Sequence, residues 1–213
     1  MVELNLLFEA ILKGKQKDAI EITQQAIDAN ISPKELIDNY LIKAMEEIGS
    51  RFEQQKAFVP ELLMAGRAMK SSLSLLQPLL QGDDVKSNFG TVVIATVKGD
   101  LHDIGKNLVG SMFEGCGFKV IDLGIDADTD KIISAVKEHN PDIIGLSALL
   151  TTTMPYMKTI IDSLEEAGLR KQVKVMVGGA PVSAGFAAEI GADGYSDSAN
   201  SAVIKAKELL KIA

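Results

Sequence analysis

Apolar positions change their spacing once along this chain. Up to about Leu80 they recur at helical intervals, and strand-like runs and glycines are scarce. Leu4, Leu7, Phe8, Ile11 and Leu12 predict a first amphipathic helix ending near Gly14, and Ala19, Ile20, Ile22, Ala26 and Ile27 a second that stops at Asn30, a residue suited to a left-handed cap. A third starts explicitly, with Ser32 as N-cap, Pro33 as first helical residue and Glu35 as capping-box partner. Its stripe is Leu36, Ile37, Tyr40, Leu41, Ala44, Met45 and Ile48; a fourth, from about Pro60, carries Leu62, Leu63, Met64, Ala65, Met69, Leu73, Leu76 and Leu80. Short connections make these a small antiparallel four-helix bundle.

Beyond the polar, aperiodic stretch 81–88, which reads as a linker, the pattern alternates. Apolar, β-branched runs predict strands at Thr91–Val97, Lys119–Asp122, Ile143–Ser147, Val173–Val177 and around Gly194–Tyr195. Helical stretches between and after them fall at Ile104–Gly115, Thr129–Asn140, Met154–Ala167, Ser183–Ile190 and Ala199–Ile212. Such alternation gives an α/β domain, a parallel sheet with helices on both faces. With five strands the flavodoxin-like (Rossmann-like) order 2-1-3-4-5 is expected, with its switch point between strands one and three. The expected division is a helical cap domain over residues 1–86 and a flavodoxin-like domain over 87–213.

The stretch Thr91 to Val109, TVVIATVKGDLHDIGKNLV, carries the chemistry. A buried strand breaks at Gly99 into the polar turn Asp100-Leu101-His102-Asp103, then resumes as a helix. Open α/β sheets place ligands at that carboxyl edge. Asp100 two residues before His102 can accept from one ring nitrogen and leave the other free as a ligand or base. The strand order brings this turn beside the turn after Ser147, without reference to any known protein.

Asp100-x-His102-x-x-Gly105 resembles the cobalamin-binding signature of methionine-synthase-like corrinoid proteins, and GDLHDIGKNLV fits the methyl-transferring branch closely. Ser147-Ala148-Leu149 and Gly178-Gly179, each at a later strand's end, match the companion motifs. The resemblance covers essentially the whole chain, since the N-terminal helices look like the family's cap domain. It implies cobalamin bound with its benzimidazole detached and His102 as the metal ligand, in the lower axial position on cobalt. Asp100 would hold the second ring N–H, and the Ser147 hydroxyl would bond that carboxylate. Asp103 belongs to the signature, more as a loop or helix-start contact than as a second ligand. Ile104 stands where the adenosylcobalamin mutase branch usually has a basic residue. Gly105, Gly178 and Gly179 would leave room for the displaced nucleotide tail. Leu149, Thr151 and Ala180 are slot neighbours, with Tyr195 and Ser196 at the same edge. The segment RFEQQKAFVPELLMAGRAMK resembles the family's cap over the upper corrin face. There Phe58 is assigned to the cofactor, while Leu62, Met64, Ala65 and Met69 fit ordinary bundle core equally well.

The implied function is a corrinoid methyl carrier. Cobalamin would cycle between cob(I)alamin and methylcobalamin, taking a methyl group from a methylamine, betaine, methanol or methoxy-aromatic donor and passing it to an acceptor. The implied partners are a substrate-specific methyltransferase, a second methyltransferase and a reductive activating protein. A cobalamin-dependent sensor or regulator, and the small subunit of an adenosylcobalamin mutase, are the alternatives. Net charge is −7, against the basic face nucleic acid demands. The single cysteine, Cys116, cannot form an internal disulfide, and no apolar run or basic leader suggests a membrane or export, so a cytoplasmic location is expected. His139 reads as a helix-end residue, and neither a phosphate-binding P-loop nor a dinucleotide fingerprint occurs.

Overall fold

The computed structural model describes residues 2–80 and 89–212, so the linker expected at 81–88 lies outside the described residues. Contacts divide the chain into two compact units. One is residues 1–88 with 111–117, the other residues 89–110 with 118–213.

In the first unit, α1 (Leu4–Leu12) packs on α2 (Gln16–Asp28), α4 (Ile42–Glu53) and α5 (Val59–Leu76), and α5 also packs on α2 and α4. The buried stripe includes Leu7, Ile11, Ala19, Ala26, Met45, Ile48, Leu62, Ala65, Met69 and Leu76. Gly14 ends α1 at φ +64°, and a Cβ there would lie 2.4 Å from Met64 Cβ, so both backbone sign and close approach demand glycine. Asn30 adopts the expected left-handed conformation after α2, at φ +57°. The third helix is not one regular helix. α3 (Pro33–Leu36), capped by Ser32, widens into a π-helical stretch (Ile37–Leu41) before α4. Leu36, Ile37, Leu41 and Ile42 are all buried, and the wider turn brings two adjacent pairs inward together. α5 closes in a 3-10 turn (Gln77–Leu79).

The second unit is a five-stranded, all-parallel sheet in the order β2-β1-β3-β4-β5. Its strands are β1 (Thr91–Thr96), β2 (Lys119–Asp122), β3 (Ile143–Ser147), β4 (Lys174–Gly178) and β5 (Gly194–Tyr195). The helices are α6 (Ile104–Gly115), α7 (Thr129–His139), α8 (Pro155–Glu166), α9 (Ala184–Glu189) and α10 (Ala199–Leu210). This is the flavodoxin-like order expected from the alternation. Val93 pairs with Ile121 on one side and Ile144 on the other, so β1 is central and nearly all buried, as its β-branched run requires. Ala95 faces a core shared with Ile132 and Val136 of α7 and Met157, Ile160 and Leu164 of α8. Ile94 points the opposite way, where a Cβ on Gly110 of α6 would come within 2.7 Å of its Cδ1; the missing side chain lets α6 lie close on the sheet. Val97, expected as the last strand residue, forms only an isolated bridge to Ala127. β1 and β3 end side by side at Thr96 and Ser147, and the loops at this edge form the candidate site.

Candidate functional site

β1 stops in a turn that the sequence specifies locally. The Asp100 N–H donates to Val97 O (3.1 Å), Gly99 takes φ +82°, and Lys98 stays at negative φ, which defines a type II turn needing glycine at its third position. After it the chain doubles onto Asp100. The carboxylate oxygen Oδ1 accepts from the His102 backbone N–H at 3.1 Å and meets the His102 ring Nδ1 at 2.8 Å. Thr96 Oγ1 donates to His102 O at 2.9 Å, pinning the residue from the strand side.

Asp100 is fully buried while the His102 side chain is 51% exposed, so the pair runs from the sheet edge out to solvent. The second oxygen of Asp100 faces the β3–α8 loop. It accepts from Leu149 N–H at 2.7 Å, Leu150 N–H at 3.2 Å and Thr153 Oγ1 at 2.8 Å. Burial alone would raise the carboxyl's pKa. The donors, led by Leu149 N–H and His102, outweigh it and hold Asp100 well below the usual carboxylate range. An anion facing Nδ1 favours the tautomer with its proton there, and the His102 Nε2 has no partner among the described residues. Leu101, Ile104, Leu149 and Leu150 stand exposed on the same loops, Ile104 at 84%. An imidazole lone pair set among uncovered apolar side chains suits a large, mostly apolar ligand carrying a metal.

Comparison with known proteins agrees with this geometry. A family model described as a B12 binding domain matches residues 90–204, and a second with the same description matches residues 3–77. The chain belongs to the B12-binding domain family. It is 45% identical over 204 residues to trimethylamine corrinoid protein 2 of Methanosarcina mazei, covering 95% of this chain and 94% of that protein. The solved structure of a cobalamin-binding protein from Desulfitobacterium hafniense DCB-2 superposes with a TM-score of 0.82 at 34% identity, covering 98% of this chain and 99% of that one. A chain of the methanol:cobalamin methyltransferase complex of Methanosarcina barkeri gives 0.83 at 30% identity, over 97% of this chain and 79% of that one. The cofactor of this B12-binding domain is cobalamin, cobalt included.

The donor set fits that cofactor. Among the described residues no group of three or more His, Cys, Asp or Glu side chains is placed to hold a metal ion. A metal at His102 must therefore bring its other ligands with it, as a corrin does. Gly105 fits as well. A Cβ there would meet no protein atom within 4 Å, so nothing in the fold excludes a side chain, and the open backbone suits a ligand lying against it.

Two expectations need correction. The hydroxyl on Asp100 is that of Thr153, and the Ser147 side chain makes no hydrogen bond among the described residues. Ser147 is still in the ladder, paired with Thr96 and Gly178, and its carbonyl accepts from Val97 N–H. The chain has to leave the strand and turn before a hydroxyl can reach the carboxylate. Gly178 and Gly179 also differ from expectation, because protein occupies the space beside them. A Cβ on Gly179, at φ +123°, would lie 1.9 Å from Ala148 O, and one on Gly178 would lie 3.1 Å from Ser196 O. The pair lets adjacent loops approach each other.

Other site residues fall as follows. Asp103 accepts from Asn107 at the start of α6 through both Oδ2 and its carbonyl, the helix-start contact expected of it. Thr151 and Ala180 are exposed on the edge loops, beside the half-buried Tyr195. In the helical unit Phe58 is 66% exposed as the residue before α5, its N–H bonded to Glu61 Oε2 at 2.8 Å; Leu62, Ala65 and Met69 are core and Met64 is exposed.

Sequence reasoning missed three groups. Thr153 sits in the run Thr151-Thr152-Thr153, which offers no local sign of which hydroxyl turns inward. Lys106 is 4% exposed, its ammonium paired with Asp122 Oδ2 and Asn107 Oδ1, and a lysine two residues after Ile104 had looked like a solvated helix position. Asp126, at φ +50°, sits on the next loop over and bonds the Gly99–Asp100 segment.

Proposed function

We propose that this B12-binding protein is the methyl-carrying subunit of a multi-component methyltransferase system, with His102 as the lower axial ligand of cobalt. The observation that carries the reading is the His102 ring, tied through Nδ1 to a buried, anionic Asp100 and presenting an unpartnered Nε2 at an apolar sheet edge. Bound cobalamin supplies the nucleophilic metal that accepts and releases a methyl group. The chain's own residues do the rest. Asp100 fixes the tautomer and heading of the ring and strengthens its donor nitrogen. The Leu149 and Leu150 amides and Thr153 keep that carboxylate ionised inside the protein. Leu101, Ile104, Leu149 and Leu150 offer the apolar surface that a corrin can cover, and Ser147, Thr151, Gly178, Gly179 and Ala180 lie on the loops that flank the tail's path.

The relatives named above serve trimethylamine and methanol chemistry, which supports a small methylated donor and a separate methyltransferase that delivers it. A second methyltransferase for the acceptor and a reductive activating protein complete the proposed set of partners.

The test is reconstitution with cobalamin followed by electron paramagnetic resonance of the Co(II) form. Wild type is expected to show one axial nitrogen whose splitting changes on nitrogen-15 labelling of histidine, and His102→Ala to lose it. An unchanged pattern on labelling removes His102 from the ligand role. Offering the reduced protein a panel of donors with their methyltransferases then shows which methyl group it accepts; no transfer from any donor sinks the carrier reading.

A further inference from the structure

The Asp100 turn is held from a second direction, by the loop between β2 and α7. In that loop Asp126 bonds the turn's main chain twice. Its Oδ1 accepts from Gly99 N–H at 2.7 Å, and its own N–H donates to Asp100 O at 3.1 Å. Between these two contacts the Asp100 N–H is taken by Val97 O. Three successive peptide groups around Asp100 are therefore each fixed by a partner, and Asp126 supplies two of the three.

Fixing those peptides fixes φ and ψ of Asp100, and with them the direction of its Cβ. The carboxylate's heading decides where the His102 ring points, since both the ring and the His102 N–H bond to Oδ1. In a type II turn the Gly99 N–H projects away from the turn's own hydrogen bond. An acceptor must wait for it, and a flipped peptide would turn its carbonyl toward the Asp126 carboxylate. Asp126 itself is in the left-handed region, which asparagine and aspartate tolerate far better than other side-chain-bearing residues. Its loop is anchored on the sheet by Thr96 N–H to Gly124 O (2.9 Å) and Ala127 N–H to Thr96 O (3.0 Å), so the clamp rests on β1 itself.

We infer that Asp126 is a positioning residue for the imidazole that faces cobalt, acting through the backbone of Asp100. The inference rests on the axial-ligand reading and adds a residue from a different loop to it. It depends on hydrogen-bond geometry and not on charge. Asparagine, which accepts through Oδ1 and tolerates the same backbone, must therefore substitute for aspartate. Glycine keeps the left-handed backbone at no steric cost and removes only the acceptor.

The experiment uses the full chain loaded with cob(II)alamin, in wild type, Asp126→Asn, Asp126→Gly and His102→Ala. Two quantities are read, the axial-nitrogen splitting and the cobalamin dissociation constant, with thermal melting of the cofactor-free proteins alongside. Wild type and Asp126→Asn should share the splitting and the affinity. In Asp126→Gly a second population without nitrogen splitting should appear, with affinity weakened about tenfold, as loss of one hydrogen bond to a charged group implies, while melting stays near wild type. Wild-type splitting and affinity in Asp126→Gly overturn the inference. Loss of splitting in Asp126→Asn overturns its geometric basis. A splitting that persists in His102→Ala instead overturns the axial-ligand reading beneath it, so the two failures are told apart.

Discussion

Two loops grip the Asp100–His102 turn, and they grip different parts of it. The β3–α8 loop holds the Asp100 side chain, through the amides of Leu149 and Leu150 and the hydroxyl of Thr153. The β2–α7 loop holds the Asp100 backbone, through Asp126, and leaves the carboxylate alone. Neutral donors gathered on one oxygen decide a charge state; paired contacts on neighbouring peptides decide a direction. The first loop thus keeps Asp100 an anion inside the protein, and the second aims it. A ligating histidine needs both, since a well-aimed neutral acid or a misdirected carboxylate would each fail to orient the ring.

The comparison breaks hardest at Gly179. Gly179→Ala drives a Cβ into Ala148 O from a backbone sign that alanine rarely adopts, which displaces the β3–α8 loop from below. We expect a loss on the order of 3 kcal/mol or failure to fold, measured by denaturant unfolding of the cofactor-free protein, with Gly105→Ala as the silent control.

Asp100→Asn comes next. The folded-state pKa of Asp100 is depressed, so its stabilising effect is present above the unfolded carboxyl value near 3.9 and is lost as pH falls through the folded value. Wild type should exceed Asp100→Asn in melting temperature at pH 7, with the gap narrowing once pH drops below about 4. A constant gap from pH 7 to 3 would show that the carboxylate's ionisation contributes nothing.

At the base of the other loop, Asp122→Ala leaves the Lys106 ammonium buried with only Asn107 Oδ1. The Asp122 side chain is partly exposed, and water that enters its place offsets part of the loss. The expected cost is about 2 kcal/mol, against under about 1 kcal/mol for Lys106→Met, which removes the charge and keeps the bulk. Equal costs would show that the pair's charge is irrelevant to the loop.

The smallest expected effect separates two hydroxyls. Thr153→Val should cost about 1 kcal/mol and Ser147→Ala less than about 0.5 kcal/mol. The reverse order would return Ser147 to the role first expected of it.

These contrasts also mark where the sequence was readable. Asp100 and His102 lie two residues apart, so a local motif captures their contact, and strict βα alternation carries the strand order with it. Thr153 reaches Asp100 across 53 residues by a path set by how the loop leaves β3, which no spacing records. Gly178 and Gly179 stood out as glycines that matter, yet crowding by protein and crowding by ligand leave the same letter in the sequence. The site's second loop stayed hidden for another reason. Asp126 acts mainly on main-chain atoms, and every residue has those.

The π-helical stretch at Ile37–Leu41 has a bearing on length. Buried positions lie on both sides of it, Leu36 before and Ala44, Met45 and Ile48 after, and each residue advances a helix by about 100°. Deleting one residue within the stretch would restore ordinary helical winding there and turn everything downstream by about that angle. Met45 and Ile48 would leave the bundle interior together. The segment is therefore a phase lock: single substitutions in it are judged by local fit, but a change in residue count is judged by the whole helix that follows.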